Sequence, residues 1–368
     1  MRFTTQCSFA FAFAVFVTTV SAPVARAQGC VVARSNGETG GPESEGGYLM
    51  PGEFQFSTGY RHQFSFEHYI GEAPEVNAAG LTRTQLGTQV ENKINLENLS
   101  LTYQLTSRFS VTANVPVLSA SRHSNNSAAM QFSQGIGDTS FMVSGWLWNP
   151  KENHRGNVQL GFGLQIPTGN DNVISYPDSR NGKGPVATVD DYSIQPGSGG
   201  YGIIMQWTAF KNLPFAQAYF NGSYLATPQN TNGVLRSATA ASQPLTEYNS
   251  ISDQYLLEAG FAAPIRKISG LTLTFGPRFE GVPANDLIGT SLGFRRPGFA
   301  LSIEPGFQYY RHGNVFSVSI GKAMYRDRTR SVPDDLLGTH GDAAFANYVW
   351  LASYSFRFDP FHKASAHH

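Results

Sequence analysis

The chain has 368 residues, and its 26 Lys and Arg side chains balance 26 Asp and Glu side chains. This balance leaves no basic stripe of the kind that nucleic-acid binding requires, so we expect no nucleic-acid partner. Only 14% of the residues are charged, against roughly 25% in soluble domains. Beyond the N-terminus there is no run of about 18 apolar residues, which excludes transmembrane helices there.

The N-terminal residues have the features of a secretory signal peptide. Arg2 supplies a positive start, residues 9–20 are apolar, and residues 25–27 (Ala-Arg-Ala) have the small-x-small pattern of a cleavage site. We therefore predict a cleaved signal peptide at residues 1–27. Residues 28–50 are rich in Gly, Glu and Ser, and we predict that they form a flexible periplasmic leader.

From residue 53 onward, apolar and polar residues alternate in many short stretches. In the first stretch Phe54, Phe56, Phe64 and Phe66 share one parity, and polar residues occupy the other. Successive side chains of a β-strand point to opposite faces, so each such strand has one apolar and one polar face. The pattern predicts twelve strands, at residues 53–69, 89–105, 109–117, 138–148, 157–166, 200–210, 215–225, 254–263, 271–281, 299–310, 315–325 and 346–358.

The predicted connections alternate between long and short. Outer-membrane barrels have short periplasmic turns, longer outer loops and an even strand count. We therefore predict an all-β fold, a transmembrane up-and-down antiparallel β-barrel of about twelve strands at residues 51–360, followed by a C-terminal tail at 361–368. A soluble sandwich or soluble barrel is the alternative. The long connections are residues 70–88, 118–137, 167–199, 226–253, 282–298 and 326–345.

Two features depart from regular strands. In the second strand the apolar residues change parity near Glu97 and Asn98, which predicts a β-bulge. Pro277 and Pro305 lie in mid-strand, where each removes a ladder hydrogen bond. We interpret both prolines as local bulges. The alternative hypothesis is that they face lipid on neighbouring strands and weaken that seam into a lateral exit for apolar substrates.

The polar parity of the predicted strands faces the lumen. Opposite charges on adjacent strands can pair across the ladder, so the charged residues there predict a structural ion-pair network in a narrow bore. The alternative is a charged constriction that selects permeants. The candidate lumen residues are Arg61, Asp138, Glu258, Arg278, Glu280 and Glu304.

Catalytic and metal-binding patterns are weak in this chain. A barrel lipid hydrolase places a His and a Ser at the membrane rim for nucleophilic attack, and His123 with Ser124 is the nearest match. Neighbouring residues of a strand face opposite sides, however. The aspartates of residues 167–199 match no EF-hand spacing, so we interpret that segment as a solvated outer loop. We expect no enzyme activity, no metal ion and no cofactor.

Three short motifs resemble one known family. Residues 135–138 (Gly-Ile-Gly-Asp) open the fourth strand, residues 164–170 (Leu-Gln-Ile-Pro-Thr-Gly-Asn) close the fifth, and residues 195–199 (Gln-Pro-Gly-Ser-Gly) precede the sixth. In this order they are similar to motifs of the MetA-pathway phenol-degradation family of bacterial outer-membrane proteins. Asn170 stands where the family often has Asp. The resemblance implies an outer-membrane barrel that helps to move hydrophobic or aromatic compounds.

The sequence thus predicts a channel in the outer membrane of a Gram-negative bacterium. Its expected function is passive passage of small, aromatic or otherwise hydrophobic molecules. Its expected partners are outer-membrane lipid, the small-molecule permeant and the barrel-assembly machinery, which the aromatic C-terminal strand would engage. The alternatives are a non-conducting structural or adhesion barrel that binds a partner through its long loops, and the rim lipid hydrolase.

Overall fold

A computed structural model describes residues 47–126, 130–177, 184–237 and 240–360. The predicted signal peptide, the leader up to residue 46 and the tail at 361–368 lie outside the described residues. Among the described residues, no helix is long and apolar enough to cross a membrane.

Twelve antiparallel strands form one closed sheet, which confirms the predicted fold class. Each strand pairs with the next along the chain, and the last pairs with the first from Phe358 opposite Phe54 to Ala343 opposite Tyr69. This pairing of the last strand with the first closes the sheet into a barrel. The strands are β1 (Phe54–Ile70), β2 (Val90–Gln104), β3 (Phe109–Ser124), β4 (two segments, Met130–Ile136 and Thr139–Trp146), β5 (Gly156–Ile166), β6 (Gly202–Asn212), β7 (Gln217–Ala226), β8 (Gln254–Pro264), β9 (Leu271–Val282), β10 (Gly298–Arg311), β11 (Asn314–Asp327) and β12 (Ala343–Phe358).

Short elements lie in the loops that join the barrel strands. The helix α1 (Val332–Leu337) begins with a capping box at Ser331 and ends at Gly338, which has a left-handed conformation. The other elements are the 3-10 helices Tyr192–Ile194 and Ala240–Ser242, and the short strands Ala73–Pro74, Ile174–Ser175, Thr188–Val189, Thr231–Leu235 and Tyr248–Ser250.

One predicted long connection is wrong. Residues 118–124 extend β3, and Met130–Ile136 pairs with that extension from Val117 opposite Ile136 to His123 opposite Met130. The predicted connection of residues 118–137 is therefore in large part paired strand. The extension is polar on its outer side, at Ser119 and Ser121, so it lacks the apolar outer parity from which the strand was predicted.

The predicted β-bulge near Glu97 and Asn98 is also wrong. The pairing of β2 with β1 and with β3 runs through these residues without a register shift. The apolar side chains change sides instead. On the side of the short turns, which we call the lower side, Leu101 faces outward, whereas on the upper side Ile94 and Leu96 face inward and are buried. The reason is that part of a loop packs inside the upper half of the barrel.

The two mid-strand prolines do not form bulges. Both face outward and are exposed, on the neighbouring strands β9 and β10, whose ladder is continuous. Pairing is interrupted elsewhere, between β8 and β9 beside Pro277 and between β10 and β11 beside Pro305, and the register is unchanged across each gap. Because proline has no backbone N–H, Pro277 cannot donate a hydrogen bond to β8, and Pro305 cannot donate one to β11.

Candidate functional site

The lower lumen contains a cavity of about 420 Å³. At the end with the short turns it is lined by Gln55, Gln104 and Arg357, and its wall carries many Ser, Thr, Asn and Gln side chains from most of the strands. The polar parity of the strands therefore faces this cavity, as in other outer-membrane barrels. Asp138, Pro196 and Ser198 lie at its upper end, and Glu258 and Glu304 line it about halfway along β8 and β10.

Above the cavity, part of the long loop after β5 folds into the barrel. We name residues 190–198 the plug segment. Ile194 is fully buried, and it packs in a cluster of inward-facing apolar side chains on β2, β3 and β12. Asp190, Ser193 and Gln195 are buried as well. The predicted solvated outer loop is therefore wrong for this part of the chain, although residues 178–183 lie outside the described residues.

Asp138 fixes one end of the plug segment. It lies at the break between the two segments of β4, and its Oδ2 accepts bonds from the Ser198 N–H (2.7 Å) and hydroxyl (2.6 Å). Its Oδ1 accepts a bond from the Gly169 N–H at 3.1 Å. Each partner comes from one of the three motifs noted in the sequence, so the motifs meet at a single junction.

Glycine is required at this junction. A Cβ atom on Gly197 would lie 2.2 Å from the Gly169 carbonyl oxygen, and a Cβ on Gly169 would lie 2.6 Å from the Gly197 Cα. Real Cβ contacts are longer, and both neighbours are backbone atoms that cannot rotate away. The two glycines thus let two loop segments cross in contact.

Asp191 fixes the other end of the plug segment. Its two carboxylate oxygens accept bonds from the Arg296 guanidinium at 2.9 and 2.7 Å, a bidentate pair. Arg296 in turn stacks against the rings of Tyr192 and Phe294, at 4.8 Å from each centroid. The loop between β9 and β10 therefore holds the loop between β5 and β6 inside the barrel.

The two plug aspartates have opposite pKa shifts. Burial would raise the pKa of Asp191, but the charges of Arg296 and Arg122 and its hydrogen bonds hold it well below the ordinary value. Burial raises the pKa of Asp190, which the hydrogen bond from Ser133 counters only in part. Asp191 is thus a fixed charge that depends on its arginine partner.

Five of the six predicted lumen residues form one buried network, and all five are less than a tenth exposed. Arg278 on β9 contacts Glu258 on β8 (2.5 Å), Glu280 (2.9 Å) and Glu304 on β10 (3.4 Å). Arg61 on β1 contacts Glu280 at 2.7 Å. Strands β1 and β9 are not neighbours, so this last pair crosses the interior. We call these five residues the ion cluster.

The ion cluster lies behind the two proline gaps. Arg278 directly follows Pro277 in the chain, and Glu304 directly precedes Pro305. Each of these charged side chains points inward, whereas the neighbouring proline points outward. Arg278 joins β8, β9 and β10, and the Ser319 hydroxyl on β11 donates to Glu304 at 2.5 Å. Side-chain bonds inside the wall therefore cross the two strand pairs in which ladder bonds are missing.

Tyr48, which belongs to the predicted leader, contributes to the lower mouth of the lumen. Tyr48 makes an edge-to-face contact with Trp146, with ring centroids 5.0 Å apart, and lies 6.2 Å from the Phe210 ring. Its hydroxyl accepts a long bond from the Asn157 amide, at 3.4 Å. Tyr48 is thus held against the inner wall by apolar contact.

Two other groups of side chains are of the types found in metal-binding and catalytic sites. His68, Glu75 and Asp342 place ligand atoms within 4.8 Å of one another, but the Arg83 guanidinium bonds to both carboxylates, at 2.6 Å from Glu75 and 3.0 Å from Asp342. The arrangement is an ion-pair cluster that joins β1 to residues of two loops. On β3, the Ser124 hydroxyl donates to Asn126 at 2.8 Å and its predecessor His123 faces the other side.

The sequence pattern names the five residues of the ion cluster as lumen candidates, but it gives no contacts for the plug segment. It predicts Asp138 as a lumen residue without its partner Ser198, and it places Asp191 only among the aspartates of residues 167–199. The motif glycines and the parity change in β2 were the available signals, since both mark where the loop enters and packs.

The chain matches no protein-family model and no curated protein in sequence. In structure it is similar to the COG4313 outer membrane channel from Pseudomonas putida F1, with a TM-score of 0.56, 14% identity, and coverage of 84% of this chain and 97% of that one. The translocator domain of the autotransporter NalP from Neisseria meningitidis follows with a TM-score of 0.42 and 11% identity, over 84% of this chain and 90% of that one. The P. putida toluene transporter TodX has a TM-score of 0.40 and 11% identity, over 85% and 91%. The first likeness shows that the chain has the fold of an outer-membrane β-barrel; the resemblance to the MetA-pathway family stays a prediction.

Proposed function

We propose that this protein is an outer-membrane channel through which small molecules, aromatic or otherwise hydrophobic ones among them, diffuse down their gradient. The observation that carries the proposal is the lumen cavity directly beneath the plug segment. The plug segment is held by a few side chains, and its removal would join the cavity to the outside. The similarity of fold to an outer-membrane channel supports this proposal.

Passage requires the plug segment to leave its place. Its charged contacts are those of Asp191 with Arg296 and of Ser198 with Asp138, and its apolar contact is made by Ile194. Loops of this kind can move on time scales of microseconds to milliseconds while the strands stay paired. The closed position is therefore the resting state of the proposed channel, and the barrel wall is its rigid frame.

Liposomes reconstituted with the purified protein test the proposal. We expect uptake of phenol and toluene above that of protein-free liposomes containing lipopolysaccharide, which slows their direct diffusion. A variant with Asp191→Asn should take them up faster. Planar-bilayer recording should show conductance steps. Absence of both steps and uptake in the two proteins would favour the non-conducting barrel.

A further inference from the structure

The charges that line the lumen cavity are unequal. The described lining residues include three carboxylates, Asp138, Glu258 and Glu304, and one guanidinium, that of Arg357. Asp138 lies beneath the plug segment, Glu258 and Glu304 lie about halfway along β8 and β10, and Arg357 lies at the lower mouth and donates to Gln55 at 3.1 Å. A permeant that enters at the lower mouth therefore meets the negative groups further inside the cavity.

The two arginines of the ion cluster do not cancel the negative charge at the cavity wall. The cluster contains two guanidiniums, Arg61 and Arg278, and three carboxylates, so its formal charge is −1. Glu258 and Glu304 line the cavity, but Arg278, which binds them, is not among the described lining residues. The carboxylates thus stand between the guanidinium and the cavity.

Asp138 adds a second uncompensated charge. The four hydrogen bonds that its carboxylate accepts come from neutral donors: the Gly169 and Ser198 N–H groups, the Ser198 hydroxyl and the Gln165 amide. Neutral donors stabilise an anion without cancelling its field at a distance. Within a narrow bore such a field acts strongly, because low-dielectric walls focus it.

We propose that the cavity is a binding site for cations, and that the channel selects small organic cations over anions of equal size. Only the selective passage of cations rests on the proposed function, because binding of a cation in the cavity does not require passage. Aromatic cations are also favoured as they enter, since Tyr48 and Trp146 line the lower mouth of the same cavity and ring faces attract cations. Rings of Asp and Glu select cations in other pores by the same electrostatics.

A pair of permanently charged aromatic solutes tests the inference. Benzyltrimethylammonium and benzenesulfonate share a phenyl ring and differ in the sign of a tetrahedral head group, and neither crosses lipid readily. We expect efflux of the cation from preloaded proteoliposomes at low salt to be about five- to tenfold faster than efflux of the anion. Arabinose, a neutral solute, reports whether the lumen conducts at all.

Variants identify the source of the selectivity. Replacement of both cavity glutamates (Glu258→Gln with Glu304→Gln) changes the charge of the ion cluster from −1 to +1 and should abolish or invert the preference. Glu97→Gln is the matched control, because Glu97 is an exposed carboxylate on the outer face of β2. Equal efflux of the two ions from the wild-type protein, or a preference that survives the double replacement, would overturn the inference.

Failure of the proposed function is recognised separately. If arabinose and both ions stay inside the liposomes, the lumen does not conduct and the proposed function fails. Equilibrium dialysis of the detergent-solubilised protein then decides the inference. Tighter binding of benzyltrimethylammonium than of benzenesulfonate, lost in the double variant, upholds the cation site; equal binding overturns it.

Discussion

The carboxylate of Asp138 accepts two hydrogen bonds from Ser198, sixty residues further along the chain, one from the backbone N–H and one from the hydroxyl. This relationship joins the break in strand β4 to the end of the plug segment. It also places a buried charge where the cavity meets the plug. The contact therefore belongs both to the closure of the lumen and to its electrostatics.

Replacement of Asp138 by Ala should release the lower end of the plug segment. Hydrogen bonds to a charged group contribute about 1.5–3 kcal/mol each, so the closed position should lose at least about 2 kcal/mol. We expect faster proteolytic cleavage within residues 167–199 and higher conductance, while the barrel stays folded. Asp335→Asn, at an exposed carboxylate of α1, is the control. A cleavage rate equal to that of the control would show that Asp138 does not hold the plug.

A methyl group at Gly197 should have a similar effect by a steric route. Its Cβ would lie 2.2 Å from the Gly169 carbonyl oxygen, so the two backbone segments must separate. We expect Gly197→Ala to increase conductance and cleavage in the same loop. Gly321→Ala is the matched control, because the nearest atom to its Cβ would be at an ordinary 3.7 Å. Normal closure in Gly197→Ala would mean that the crossing of the loops is not needed.

Acid should open the channel through Asp191. Its pKa is lowered in the closed state, so the Asp191–Arg296 pair stabilises closure above the ordinary value of 3.8, and this contribution is lost as the pH falls through the lowered pKa. Asp190, whose pKa is raised, has the opposite sign and favours closure on mild acidification. Planar-bilayer conductance should therefore rise only below about pH 4.

The variant Asp191→Asn isolates this effect from other loop acids. The substitution leaves the buried Arg296 without its carboxylate, a change that costs about 3–5 kcal/mol in buried pairs. We expect the variant to conduct at neutral pH and to show little further rise in acid. If Asp191→Asn shows the same dependence of conductance on pH as the wild-type protein, the acid response belongs to another group. Asp334 and Asp342 are the candidates, because their pKa values are also lowered.

The barrel could be predicted from the sequence because apolar and polar residues alternate along each strand, so each strand can be recognised on its own. The lumen cluster of Glu258, Arg278 and Glu304 followed, since inward parity and adjacent strands bring them together. The plug did not follow, because Asp191 and Arg296 are 105 residues apart in two loops without periodicity. The parity change at Glu97 was visible but ambiguous: a bulge and a loop-filled upper lumen give the same pattern.

Removal of the central arginine should destabilise the ion cluster. Arg278 is 1% exposed and contacts three carboxylates, so Arg278→Met leaves buried charges uncompensated. We expect a loss of about 3–5 kcal/mol in the free energy of unfolding, measured by denaturant titration in detergent. Adding Glu258→Gln and Glu304→Gln should restore part of the loss. Arg311→Met, at the exposed end of β10, should change little; an equal loss in that control would argue against a role for the cluster.

The lateral-exit hypothesis stays a prediction, and the ladder geometry sharpens its test. Pro277→Val and Pro305→Val each return a backbone N–H, but to different pairs of strands, β8 with β9 and β10 with β11. If apolar solutes leave through the wall at both gaps, each substitution should slow their uptake by liposomes, and the two effects should add. A single seam predicts instead that either substitution gives most of the effect of both. Pro264→Val, at the end of β8, controls for loss of a proline. Uptake unchanged in the double variant would end the hypothesis, because both gaps would then be closed while the route stayed open.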